Sequence, residues 1–183
     1  LAAVGAMVLT TAFVYSIGRY TAGHWYSFTI LYLWLMYKEF YIGQALAKSP
    51  IIYAISHQII IFFLNAGAFT LAFPEAAPLD AMLKPGLIIL GGFFTYEICR
   101  KLDPNAHPML GTYRYVYGLP VTGIFSAIML SIGGYGAFYA YGFSLPTYIL
   151  WAVELITILS FVLFAKEKYK HVEALASVSL LAH

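Results

Sequence analysis

The sequence predicts an all-α, polytopic transmembrane helical bundle. Three observations carry that expectation. Hydrophobic residues fill 62% of the 183 positions and charged residues only 10%, whereas soluble domains carry about a quarter charged residues. Too few charges remain to clothe a water-exposed surface. The apolar residues fall in long runs, and roughly 20 of them in helical form cross a bilayer. Aromatic residues reach 18%, with 16 Tyr. Many lie near the ends of the runs, where a ring with one polar end suits the membrane–water interface.

Taken in order, the runs number seven. The first is Leu1–Ile17, followed by a loop at Gly18–His24 that carries Arg19. The second, Trp25–Gly43, ends in Met36-Tyr-Lys-Glu-Phe. Gln44–Ser49 turns, and Pro50 opens the third run at a favourable first-turn position; that run reaches Phe73. Pro74–Leu83 forms a short loop. The fourth run starts near Pro85 and ends at Lys101, before the Asp103-Pro104 breaker. Leu119–Tyr141 is the fifth run, rich in Gly and Ser, and small residues let membrane helices approach closely. Gly142–Leu145 is a tight connection to the sixth run, Pro146–Phe164. After the basic stretch Lys166–Lys170 a seventh run begins at Val172.

No soluble domain fits between these segments and no internal repeat stands out. The chain opens inside an apolar run without an initiator Met, and Val172–Ala182 is too short to cross a core of about 30 Å at about 1.5 Å per residue. Residues 1–183 are therefore read as one transmembrane helical domain, truncated at both ends. The single Cys99 forms no intrachain disulfide and says little about redox compartment.

Seven alternating segments create two sets of loops. Those after runs two, four and six, with the adjoining helix ends, hold Lys38, Lys48, Arg100, Lys101, Arg114, Lys166, Lys168 and Lys170; the others hold Arg19 and Lys84. Such an excess marks the cytoplasmic side. For Lys48, Lys166, Lys168 and Lys170, topology alone accounts for the charge.

The densest polar stretch, Tyr96–Tyr117, therefore faces the cytoplasm. It contains Glu97, Arg100, Lys101, Asp103, His107 and Arg114. Glu97 stands three and four residues before Arg100 and Lys101, the spacing of ion pairs on one helix face. Asp103, directly before Pro104, has the position of a helix cap. His107 has no second His or Cys at ligand spacing, which argues against a metal centre of its own. Lys38 and Glu39 end the second run, and His57 lies about 10 Å into the third. Of the histidines only His57 lies well within a run, which disfavours bis-His haem ligation. Glu154 sits near the middle of the sixth run. A carboxyl at that depth faces the bundle interior and needs a partner, with Asn65, Thr157 or a Tyr as the choices.

Two stretches carry a family resemblance. One is Met36-Tyr-Lys-Glu-Phe-Tyr-Ile-Gly with Lys48-Ser-Pro-Ile-Ile-Tyr-Ala-Ile-Ser-His57. The other is Tyr96-Glu-Ile-Cys-Arg-Lys-Leu-Asp103, continuing through Gly111-Thr-Tyr113 to Tyr117-Gly118. Together they resemble the UbiA superfamily of intramembrane prenyltransferases. The resemblance implies an all-α nine-helix fold of which this chain covers helices three to nine, about seven helices, the last incomplete. It implies transfer of a polyprenyl group from its diphosphate to a lipophilic or aromatic acceptor, with Mg²⁺ held by two Asp-rich motifs on the cytoplasmic side. On that register Asp103 belongs to the second acidic motif and is the metal ligand, and Lys38 is the catalytic cation that ends the family's Tyr-x-x-x-Lys pattern. Arg100, Lys101, Glu97, His57 and Tyr113 fall among substrate-binding positions. The chain departs from the pattern where His107 replaces the second carboxylate and where Trp34 replaces the patterned Tyr. The first acidic motif would precede Leu1.

Two function classes follow. One is a prenyltransferase, with Mg²⁺, a prenyl diphosphate and a lipophilic acceptor as partners besides the lipid bilayer. The other is a non-catalytic UbiA-like accessory subunit of a larger membrane assembly, binding quinone, pigment or lipid and contacting other membrane subunits. Nucleic acid is not among the expected partners. Glu154 alone points to a third class, an ion or solute transporter.

Overall fold

The computed structural model describes residues 2–103 and 113–183, and among them there is no strand. The elements are α1 (Ala2–Ser16), α2 (Tyr20–Tyr37), a 3₁₀ turn (Glu39–Tyr41), α3 (Gly43–Leu46), α4 (Pro50–Gln58), α5 (Ile60–Ala72), α6 (Pro78–Cys99), α7 (Tyr113–Tyr141), α8 (Leu145–Phe164) and α9 (Tyr169–Ala182). Four helical stretches, Pro50–Ala72, Pro78–Cys99, Tyr113–Tyr141 and Leu145–Phe164, are long and apolar enough to cross a membrane. They correspond to expected runs three to six. α1 is apolar but short. α2 has 18 residues, but its tyrosines and His24 dilute its apolar character.

The chain divides into two compact units. The first is Leu1–Gly86. Its centre is α2, which packs on α1 and α5. Trp25 and Tyr32 of α2 lie 6.2 and 5.4 Å from the ring of Phe63 on α5. Gly67 of α5 admits the Tyr26 ring: a Cβ there would come within 2.9 Å of it. The expected second run stops earlier than Gly43. α2 ends at Tyr37, and Glu39, Phe40 and Tyr41 take left-handed φ of 48°, 53° and 60°. That conformation costs roughly 1–2 kcal/mol per residue. It turns Phe40 onto the edges of Tyr32 and His57, at 5.3 and 5.9 Å. The third run divides at Ile59 into α4 and α5. Pro50 lies in the first turn of α4, as the sequence predicts, and Ser49 caps the helix by accepting from the Ile52 N–H.

α6 begins at Pro78, a full two turns before the expected start at Pro85. Asp80 and Lys84 pair across its first turns at 3.1 Å. Pro85 has no N–H to donate to the preceding turn, and the first unit ends one residue later.

The second unit is Leu87–His183. Here α6 and α7 touch backbone to backbone. A Cβ on Gly91 would lie 2.6 Å from Gly133 Cα, and one on Gly136 would lie 2.7 Å from Leu87 Cβ. Packing at this distance is what small residues make possible between membrane helices. α7 packs on α8, and α8 on α9. α7 kinks at Gly118, φ +75°, one residue before the expected start of the fifth run. At one end of the unit Cys99, Leu102, Phe161, Ala165, Val172 and Ala176 form a buried cluster. It joins the ends of α6 and α8 to the start of α9.

Candidate functional site

The last turn of α6 carries the ion pairs that its spacing predicts. Arg100 Nε donates to Glu97 Oε2 at 2.5 Å, and Lys101 Nζ stands 2.6 Å from Glu97 Oε1. The hydrogen bond to Glu97 is the largest cause holding the Arg100 guanidinium above its ordinary value, and Glu173 of α9 adds to it. Arg100 is half exposed, so this pairing adds only a few tenths of a kcal/mol, about 0.3–0.5, to stability. Its consequence is electrostatic: two cations share one carboxylate, with the charge of Glu173 also acting on Arg100. Lys101 Nζ also lies 5.6 Å above the buried ring of Tyr113.

Beyond Cys99 the helix tightens. Lys101 and Leu102 donate to the carbonyls three residues back, at 3.1 and 3.2 Å. Leu102 is fully buried and anchors the turn. Its carbonyl accepts from Arg114 Nη1 of α7 at 3.1 Å. Asp103 follows, half-buried. His107 and the capping geometry at Pro104 lie outside the described residues.

Behind this polar end lies a cavity of about 410 Å³ between α6, α7 and α8. Its walls are mainly apolar, among them Leu119, Ile124, Leu130, Ile158 and Phe161, and Lys166 stands at its end beside Ala165. Cys99, Ser126 and Thr157 add polar points. Ser126 Oγ is fully enclosed, with the weakly bonding Cys99 thiol beside it. Topology alone accounts for Lys166 in the sequence; its place in the lining of an apolar cavity is visible only once α6, α7 and α8 are packed.

The candidate residues thus fall into two sets. Glu97, Arg100, Lys101, Asp103 and Tyr113 share one end of the second unit. Lys38 and His57 belong to the first unit. Lys38 is exposed, with Nζ 5.1 Å above its neighbour Tyr37. His57 stacks on Tyr53 at 4.2 Å, and its Nδ1 donates to the Tyr53 carbonyl at 2.9 Å.

The donor set does not fit Mg²⁺. Among the described residues no three His, Cys, Asp or Glu side chains come together. Both oxygens of Glu97 are engaged by cations. Asp103 alone is far from the near-octahedral oxygen shell that Mg²⁺ requires.

Glu154 is buried, as its depth in the sixth run predicts, but its partner is none of those expected. Asn65 Nδ2 and Thr157 Oγ1 each donate to the carbonyl four residues back on their own helices. The partner is His183, at the end of α9, whose Nε2 lies 3.1 Å from Glu154 Oε1. His57 is the histidine well within a run, yet His183, at the end of α9, has a wholly enclosed side chain. Its ring fills a slot between glycines. A Cβ on Gly92 or on Gly133 would come within 2.7 Å of the imidazole. The sequence signal was the pair of double glycines, Gly91-Gly92 and Gly133-Gly134, one on each facing helix.

No family model, no curated protein and no solved structure matches the chain.

Proposed function

We propose that the second unit binds a prenyl diphosphate and that the chain acts as a UbiA-like intramembrane prenyltransferase of the nine-helix type. The observation that carries this reading is an apolar cavity lined by Cys99, the residue directly before Arg100, and by Lys166. Arg100 and Lys101 stand where α6 ends, and Lys166 stands at the end of the cavity next to the cluster that buries Leu102. A diphosphate is a strongly charged leaving group, and Lys and Arg offset the charge that develops on its oxygens. The apolar walls hold the prenyl tail and keep water from a developing allylic cation. Asp103, by the resemblance, belongs to the acidic motif beside that headgroup. The excess of Lys and Arg in the same set of loops supports a cytoplasmic position for this end of the unit.

A second reading is a non-catalytic accessory subunit that holds quinone, pigment or lipid in the same cavity. The observation favouring it is that Glu97 already neutralises part of the cationic end, while the described acids do not assemble a metal site.

Paired titrations of geranylgeranyl diphosphate and geranylgeraniol into the protein in nanodiscs separate the two. The prenyltransferase reading expects the diphosphate to bind at least about tenfold tighter than the alcohol, and Arg100→Ala with Lys101→Ala to erase that difference. Equal affinity for the two compounds supports the accessory reading instead.

A further inference from the structure

A second recess lies beside Glu154. This groove of about 520 Å³ is lined by Tyr135 and Phe138 of α7, Phe143 of the connection, and Trp151, Glu154 and Leu155 of α8. Its aromatic walls are ordered against each other. The Trp151 ring lies 6.3 Å from Phe138 and 6.4 Å from Phe143, and Phe138 meets Phe143 edge-on at 4.8 Å. Neither Lys nor Arg lines it.

The hydrogen-bond inventory decides what it accepts. His183 Nδ1 lies 2.7 Å from the Ser179 carbonyl. A carbonyl only accepts, so Nδ1 carries a hydrogen. The contact between His183 Nε2 and Glu154 Oε1 then holds one proton, and the pair is neutral overall whichever atom bears it. Two further donors at the groove are already used: Trp151 Nε1 donates to the Gly134 carbonyl at 3.1 Å, and Ser131 Oγ to the Ala127 carbonyl at 2.9 Å. The hydroxyl of Tyr135, an exposed lining residue, is a third donor. Glu154 Oε2 stands against Gly134, part of the groove wall, with the Trp151 indole beside it. Next to the aromatic cage of Trp151, Phe138 and Phe143 the groove therefore offers the acceptor oxygen of Glu154, with the Tyr135 hydroxyl the one further polar group in its lining that can also donate. A neutral pair in an apolar setting gives nothing to offset a bound cation, whose burial without an opposite charge is costly.

We propose that this groove is a binding site for a neutral, ring-bearing lipophilic alcohol, whose hydroxyl donates to Glu154 Oε2 while its ring packs between Trp151, Phe138 and Phe143. The site is independent of the diphosphate end of α6.

The test uses the full chain in nanodiscs with Trp25→Phe and Trp34→Phe, so that Trp151 is the one tryptophan left of three and is read by excitation selective for indole over tyrosine. Brominated probes quench it on contact. Saturable quenching by 4-bromophenol is expected, with 4-bromoanisole, which has no donor, about tenfold weaker. Ser131→Phe plugs the groove without touching the buried pair and abolishes the saturable phase. Glu154→Leu removes the preference for the hydroxyl. Glu154→Gln keeps a carbonyl acceptor and retains part of that preference, which covers the case in which the leucine variant does not fold. Saturation by 4-bromocyclohexanol as well assigns alicyclic alcohols to the site, and its failure narrows the ligand to phenols. Equal quenching by phenol and anisole, a purely linear response, stronger binding of 4-bromobenzylamine, or an unaffected Ser131→Phe variant overturns the proposal.

Discussion

His183 Nε2 lies 3.1 Å from Glu154 Oε1, across 29 residues of sequence. The contact ties the end of α9 to the middle of α8. It passes through a slot that exists only because Gly92 and Gly133 have no side chains. An acid in the apolar part of a bundle is costly unless paired, and here the partner arrives from α9. Val172, Ala176 and Ser179 of α9 are fully buried on the way, so the histidine is delivered by a well-packed helix.

Glu154→Gln should be tolerated, with stability within about 1 kcal/mol of wild type, because an amide still bonds the imidazole. Glu154→Leu strands the enclosed His183 Nε2 and should cost about 1–3 kcal/mol. Thermal unfolding in detergent compares the two. Equal melting of both variants would mean that the pair adds nothing to stability.

Gly133→Ala places a methyl 2.7 Å from His183 Nε2 and 3.2 Å from Gly91 Cα. Neither the enclosed ring nor the facing backbone yields easily, so the variant should lose about 1–3 kcal/mol. Gly5→Ala on α1 is the control, since nothing lies within 4 Å of its added Cβ. It should be neutral or gain roughly 0.5–1 kcal/mol from helix propensity. A neutral Gly133→Ala would show that α6 and α7 do not meet as closely as described.

Much of the helical framework was legible because apolar runs of spanning length have few alternatives. The pairs at the end of α6 were legible too, since Glu97, Arg100 and Lys101 are local partners at helical spacing. The Glu154–His183 contact was not, because its partners lie on different helices and no local period links them. The end of α2 escaped for another reason. Glu39, Phe40 and Tyr41 adopt a left-handed turn without a glycine to announce it. The start of α6 was misplaced because Pro85 reads as a first-turn proline, whereas here it sits inside the helix.

That left-handed turn yields its own prediction. Glu39 is exposed with φ 48°, so Glu39→Gly relieves the steric cost and should stabilise the protein by about 1 kcal/mol. A lower melting temperature for Glu39→Gly would indicate that the side chain, whose carboxylate lies against Gly43, contributes more than the strain removes.

The central claim is that the cavity between α6, α7 and α8 holds a prenyl chain with its diphosphate at the cationic end. Its most direct test is saturation binding of radiolabelled geranylgeranyl diphosphate to the full chain in nanodiscs, wild type against Ala127→Trp. Ala127 lines the cavity, and an indole there fills it while leaving Arg100, Lys101 and Lys166 in place. The account predicts saturable binding to wild type and at least about a tenfold loss in Ala127→Trp, with circular dichroism unchanged. Absence of saturable binding to wild type, or equal binding by both proteins, would contradict it.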